Sequence, residues 1–206
     1  MENFSIYARA KKDIAYSFAL FLLFWIFDFT LLSYVAFICF VASFYIFRDP
    51  QRKVLSHEDG KILSPVDGEV IALESLEDET FGTKVEINSK CFDMGVFYAP
   101  IRSTLKDLEI VKGAKLPSSD PKFKKLNENV TLLLEDEKGR VLKINHLSRF
   151  NCKEIDIDLF VKQKLDDATV YGFMLSGITT IYFPKDAKID LNVGSRVVAS
   201  QTIGYF

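Results

Sequence analysis

The run from Ile14 to Phe47 constrains this chain more than any other feature: 34 residues without lysine or arginine and with a single acid, Asp28. It exceeds the ~20 residues that one membrane span needs and is too long and apolar for a core helix of a soluble protein. No small-residue cleavage site follows it, so it does not read as a secretory signal. A single tilted span would carry Asp28 near its middle. A helical hairpin, roughly Ile14–Phe27 and Thr30–Phe47 with Asp28 at its tip, fits better, and each arm is short enough to dip into the bilayer without fully crossing it. Arg9, Lys11 and Lys12 precede the run, and Arg48, Arg52 and Lys53 follow it. Basic residues on both flanks favour both ends on the cytoplasmic side, which a hairpin satisfies and a single span does not. The expected organisation is a transmembrane or re-entrant anchor over residues 1–47 and a domain over 48–206 on the cytoplasmic side of the cell inner membrane.

The rest of the chain reads as mainly β. Asp49-Pro50 ends the apolar helix, because proline cannot continue the ladder. A polar connector over 51–60 follows. In Lys61–Leu73, two short β-like runs flank the turn Pro65-Val66-Asp67-Gly68. Phe92–Tyr98 is an apolar strand candidate closed by Pro100, and Glu135–Gly139 reads as a hairpin turn between Val130–Leu134 and Arg140–Ile144. No stretch after residue 50 keeps a long 3.6-residue apolar period, so helix should be scarce.

One internal repeat stands out. Val161–Phe173 aligns without gaps on Val193–Tyr205, pairing Leu165 with Val197, Tyr171 with Ile203 and Gly172 with Gly204, all 32 residues apart. Strand, polar turn, apolar pair and a second strand ending at glycine make the pattern of a hammerhead-like β unit. Lipoyl- and biotinyl-type domains build flattened β-sandwiches from such units, and that is the expected fold class.

The chemistry-bearing residues are few. His57 and His146 are the only histidines, and a lone histidine is more often structural than catalytic. No phosphate loop, metal-ligand cluster or Gly-x-Ser-x-Gly elbow is present, so no metal is expected. Cys39, Cys91 and Cys152 lack redox or metal spacing and agree with a reducing compartment. A net charge of −2 gives no reason to expect nucleic acid as a partner. Lys122, Lys124 and Lys125 read as a solvated face that can touch anionic lipid head groups. The remaining candidate is Ser176-Gly177, inside the apolar stretch Tyr171–Pro184.

The apolar hairpin, Phe47-Arg48-Asp49-Pro50, Ser64-Pro65-Val66-Asp67-Gly68, Val96–Pro100, Tyr171–Pro184 and the Val193–Gly204 unit follow one another in a familiar order. Together they resemble the short bacterial and archaeal type of phosphatidylserine decarboxylase over nearly the whole chain. The resemblance implies a proenzyme that cuts itself at a Gly-Ser bond and turns the serine into a pyruvoyl group. That group forms a Schiff base with phosphatidylserine and accepts electrons as carbon dioxide leaves, giving phosphatidylethanolamine. A histidine supported by the aspartate of the Pro-x-Asp-Gly turn acts as base toward the serine. The implied partners are the phospholipid membrane and phosphatidylserine.

Carried over residue by residue, the resemblance keeps Asp67 as the supporting aspartate. The family's histidine follows its Ser-Pro-x-Asp pattern by two residues, and here that register reads Ala99-Pro100-Ile101-Arg102-Ser103-Thr104. Thr104 therefore stands where the histidine belongs. Counting back from Tyr182-Phe183-Pro184, the Gly-Ser pair falls on Ser176-Gly177, in inverted order. Gly177 has no side chain to become a pyruvoyl group, and Ser176 follows Leu175 rather than glycine. The leading expectation is a membrane-anchored family member that keeps the fold but does not process itself, with no cofactor. The alternatives are an active decarboxylase with a variant site at Ser176, which would carry a self-derived pyruvoyl group, and a membrane-tethered lipoyl-like adaptor.

Overall fold

A computed structural model describes residues 5–49, 60–149 and 153–206. Arg52, Lys53, His57, most of the polar connector and Cys152 lie outside the described residues. The chain divides into two compact units, Met1–Gln51 and Arg52–Phe206.

In the first unit, β1 (Ser5–Ile6) pairs antiparallel with β2 (Arg48–Asp49). Between them run a 3-10 turn (Ala8–Ala10), α1 (Lys11–Ile26) and α2 (Thr30–Ile46). The chain reverses at Asp28, which adopts a left-handed φ of 59°, a conformation that aspartate tolerates better than bulky residues. Phe18 packs on Phe40 at 5.1 Å and Phe21 on Phe37 at 5.4 Å, so aromatic rings interlock the two helices. The outer faces carry Trp25, Phe27, Leu31 and Ile38, all largely exposed. At 16 and 17 residues, the helices are shorter than the ~20 a span requires. No helix among the described residues is long and apolar enough to cross a membrane, which corrects the transmembrane form of the expected anchor.

The second unit is mainly β, with several sheets. Its strands are β3 (Lys61–Leu63), β4 (Gly68–Ser75), β5 (Phe81–Ser89), β6 (Val96–Tyr98), β7 (Ser103–Val111), β8 (Asn129–Glu135), β9 (Val141–Ser148), β10 (Asp156–Ile157), β11 (Lys164–Leu165), β12 (Val170–Phe173), β13 (Gly177–Pro184), β14 (Lys188–Ile189), β15 (Arg196–Val197) and β16 (Thr202–Tyr205). One short helix, α3 (Phe123–Leu126), interrupts them. An eight-stranded sheet runs β11-β7-β8-β9-β13-β5-β4-β15, flanked by two three-stranded sheets, β10-β12-β6 and β14-β16-β3. Strand β8 buries Val130, Leu132 and Leu134 and turns Asn129, Thr131 and Glu135 outward, the two-residue period of a half-covered strand. Strand β13 lies between β9 and β5, and seven of its eight residues are buried. A separate apolar cluster of Phe123, Leu147 and Ile178 brings the α3 segment against this strand and its neighbour. The main core gathers Ile62, Ile87, Phe97, Leu132, Ile144 and Phe183. Of the expected strand Phe92–Tyr98, only Val96–Tyr98 forms.

The 32-residue repeat is visible in the register. Strand β12 pairs with β6 through Val170↔Tyr98 and Gly172↔Phe97, and β16 pairs with β3 through Thr202↔Leu63 and Gly204↔Ile62, each with an irregularity between its two pairs. Strand β11 lies on β7 and β15 on β4. The positive-φ residues repeat as well, Lys162 with Gly194 and Ala168 with Ser200. The partner strands match at an offset of 35 residues, Leu63 with Tyr98 and Gly68 with Ser103. A Cβ on Gly172 would meet the Asp156 carbonyl at 2.5 Å, and one on Gly204 the Lys188 carbonyl at 2.7 Å. Both glycines are there because a neighbouring strand passes too close for a side chain. The halves also exchange hydrogen bonds: the Leu63 N–H donates to the Pro100 carbonyl at 2.8 Å and the Tyr98 N–H to the Pro65 carbonyl at 3.0 Å.

Candidate functional site

Asp67 closes the turn between β3 and β4 and is nearly buried. One carboxylate oxygen accepts the Ala199 N–H at 2.7 Å, which ties the turn to the 198–201 loop of the second repeat. Its carbonyl accepts the Ser89 hydroxyl at 2.6 Å. Ser89 is in turn the β5 partner of Gly177. The Asp67 turn and the start of β13 are therefore linked through one serine.

Ser176 occupies the connection from β12 to β13 and is buried, with its carbonyl accepting the Arg149 N–H at 3.1 Å. Gly177 is the first residue of β13 and pairs with Ser89 on one side and Ser148 on the other. A Cβ on Gly177 would lie 2.3 Å from the Leu147 carbonyl oxygen and 2.6 Å from the Met174 sulfur. Backbone atoms cannot yield as a flexible side chain can, so this position accepts no side chain without moving a strand. The residue onto which the resemblance projects a serine is thus held as glycine by packing.

Thr104 is on β7, opposite Glu135 of β8 and Lys164 of β11. Glu135 faces Val141 of β9, whereas Gly177 faces Ser148, seven residues further along the same strand. In the sheet ladder, Thr104 and Gly177 thus belong to opposite ends. By the internal repeat, the counterpart of Asp67 is Arg102, whose Nε pairs with Asp166 at 3.2 Å. The threonine hydroxyl cannot take up a proton near neutral pH, so it offers no base.

His146 is the histidine within the described residues, and sequence reasoning assigned it no role. It sits on β9 with no solvent exposure. Its Nδ1 is 2.9 Å from the Thr179 hydroxyl, its Nε2 is 2.8 Å from the Tyr171 hydroxyl, and Phe97 stacks on the ring at 3.8 Å. Burial pushes its pKa down to about 3, and burial likewise raises the Tyr171 phenol well above its ordinary value. A neutral imidazole with both nitrogens engaged is a core hydrogen-bonding element and a poor general base.

The three lysines separate in role. Lys124, on α3, reaches both carboxylate oxygens of Glu86 at 3.1 Å, and Lys84 also pairs with Glu86 at 2.8 Å. Burial alone would raise the Glu86 pKa, but hydrogen bonds from the two lysines hold it below the usual range. Lys122 and Lys125 are exposed. One group emerges only from the fold: Arg149, just past β9, donates from its guanidinium to the Asn88 side-chain oxygen on β5. Its Nε is buried and has no hydrogen-bond partner.

A cavity of about 400 Å³ opens at the hairpin turn, lined by Phe21, Phe24, Trp25, Asp28, Tyr34 and Phe37 among others. None of the sequence-derived site residues lines it. Among the described residues no group of three or more histidine, cysteine or acidic side chains is placed to hold a metal ion.

Residues 40–205 match the sequence profile of the phosphatidylserine decarboxylase family. Similar curated proteins carry the name phosphatidylserine decarboxylase proenzyme. That of Symbiobacterium thermophilum is 28% identical over 164 residues, covering 77% of this chain and 76% of its own length. The Wolbachia pipientis wMel protein is 27% identical over 169 residues, with 77% and 73% covered. The Chlorobaculum parvum protein is 28% identical over 176 residues, with 84% and 80% covered.

Proposed function

The chain belongs to the phosphatidylserine decarboxylase family, and we propose that within it this protein works uncut, as a membrane-associated phospholipid-binding member without a pyruvoyl group. The observation that carries the reading is Gly177. The family pattern projects a serine there, and the Leu147 carbonyl leaves a Cβ only 2.3 Å of clearance. Ser176 follows Leu175, whose bulk resists the tight turn that glycine permits. Neither candidate base among the described residues can activate a serine, since Thr104 is no base and His146 is committed to Thr179 and Tyr171. The residues present do not fit a self-made pyruvoyl group, and no step of decarboxylation is assigned to them.

The membrane association rests on the first unit. Its helices and the turn between them expose Trp25, Phe27, Leu31 and Ile38 to their surroundings. Hydroxyls that would be costly in lipid are satisfied within the helices: Ser17 donates to Ile14, Ser33 to Thr30 and Ser43 to Phe40, at 2.6–2.8 Å. Helices of this length suit a re-entrant hairpin that enters from the cytoplasmic face of the inner membrane. The domain that follows, read as a flattened sandwich of two hammerhead-like units, would then work beside the bilayer on aminophospholipids such as phosphatidylserine.

Intact mass of the purified full chain tests the reading. A single full-length species is expected. A C-terminal fragment beginning at residue 176 with a blocked end would overturn it and establish the variant decarboxylase instead.

A further inference from the structure

We propose that Arg149 and Lys124 form a receptor for a phosphate anion on the outer face of the β9-β13-β5 ladder, beside Ser176. The inference rests on the phospholipid reading above and names the group that recognises the ligand.

Arg149 extends the outward row Asn145, Leu147 on β9. Its guanidinium crosses the end of β13 and binds Asn88 on β5, two strands away. The arginine is anchored at its backbone by the Ser176 carbonyl. Asn88 is a neutral partner, and no carboxylate among the described residues pairs with Arg149. Its Nε is buried without an acceptor. Leaving a buried donor of a charged group unsatisfied is costly, and an anion seated against the guanidinium would supply the missing acceptor.

The second cation is placed by the same strand. Lys124 binds Glu86, which precedes Asn88 by two residues on the same face of β5. Strand positions at that spacing are about 7 Å apart, so the two cations reach neighbouring positions on one face of β5, where one phosphate would accept from both. Lys84 and Lys124 share the Glu86 carboxylate, Lys84 also pairs with Glu74 at 3.3 Å, and the Lys124 side chain stays 62% exposed and open to a further ligand. The arginine supplies directed N–H donors suited to oxyanions and the lysine a point charge. Lys122 and Lys125 add positive charge on the exposed α3 segment. A lipid phosphodiester and free phosphate share this chemistry.

The test is calorimetric titration of the detergent-solubilised full chain with inorganic phosphate, glycerol 3-phosphate and glycerophosphoserine. Binding of at least one probe is expected, weakened about tenfold or more in Arg149→Gln and a few-fold in Lys124→Met, with Arg102→Gln unchanged. Tighter binding of glycerophosphoserine assigns a lipid head group, and tighter binding of inorganic phosphate assigns the free ion. Either result supports the receptor. Failure of the wild-type chain to bind all three probes, or undiminished binding by Arg149→Gln, overturns it. If Arg149→Gln does not fold, Lys124→Met decides, and unchanged affinity there overturns the proposal. Intact mass measured on the same preparation scores the uncut reading separately from the titration.

Discussion

His146 and Thr179 face each other across the β9–β13 ladder and share a 2.9 Å hydrogen bond inside the core. With Tyr171 on the other ring nitrogen, the imidazole ties together three strands, β9, β12 and β13. His146→Phe would leave both hydroxyls without their partner. It should cost on the order of 2–4 kcal/mol at pH 7.5, read as a shift in the urea midpoint.

The same residue sets an acid dependence. Its pKa in the fold, about 3, lies below the ordinary 6.5. The unfolded chain therefore binds a proton below pH 6.5 that the folded chain refuses. Stability should be full above pH 6.5 and decline as the pH falls toward 3, by up to about 1.4 kcal/mol per pH unit. Urea melts at stepped pH should show this slope in the wild type. The His146→Asn variant should lose most of its upper part, between pH 6.5 and 5.

Gly177→Ser restores the residue type that the family pattern projects there. Because the new Cβ meets the Leu147 carbonyl, the variant should melt lower, by about 2 kcal/mol or more in stability. It should also stay full-length by mass. Cleavage of this variant would show that the strand can yield and that packing is not what holds the position as glycine.

Glu86→Gln removes the acceptor shared by Lys84 and Lys124. At pH 7 the loss should be about 1–3 kcal/mol, since Lys84 is largely buried beside it. The carboxylate pKa is lowered in the fold, so its contribution is present above the unfolded pKa, near 4.5, and is lost as the pH falls through the lower folded value. Wild type and variant should converge in stability in acid. A gap that persists at pH 3 would contradict this assignment.

Trp25 is the single tryptophan in the chain and lies 64% exposed on α1. If the hairpin enters lipid, its emission should shift to the blue on addition of vesicles and be quenched by brominated acyl chains. Unchanged emission would remove the case for the anchor.

How much of the fold was legible in the residues depended on how local each signal is. The helix pair was written in a long apolar run broken only by the acid Asp28, and the β8–β9 hairpin in Glu135–Gly139 between two alternating segments. The repeat was readable because its strand, turn and glycine positions recur at a fixed spacing, down to the two glycines that accommodate a passing strand. What lay beyond reach was pairing across long separations. Arg149 meets Asn88 from 61 residues away and Lys124 meets Glu86 from 38. His146 looked like any lone histidine until β13 and β12 brought Thr179 and Tyr171 to it. The segment Phe92–Gly95 was apolar enough to suggest strand, yet Asp93 accepts the Lys90 N–H at 2.8 Å and folds it into a turn.

The last thirty residues illustrate a property of connectivity. Strand β13 is gripped by β5 and β9, β15 by β4, and β16 by β3, the first strand of the domain. Everything after Ser176 is thus woven into earlier parts of the chain on several sides. The peptide bond between Leu175 and Ser176 contributes little to keeping that segment in place. The architecture is that of a molecule able to survive as two pieces, and whether it exists as one is a matter of chemistry at a single bond rather than of the fold's cohesion.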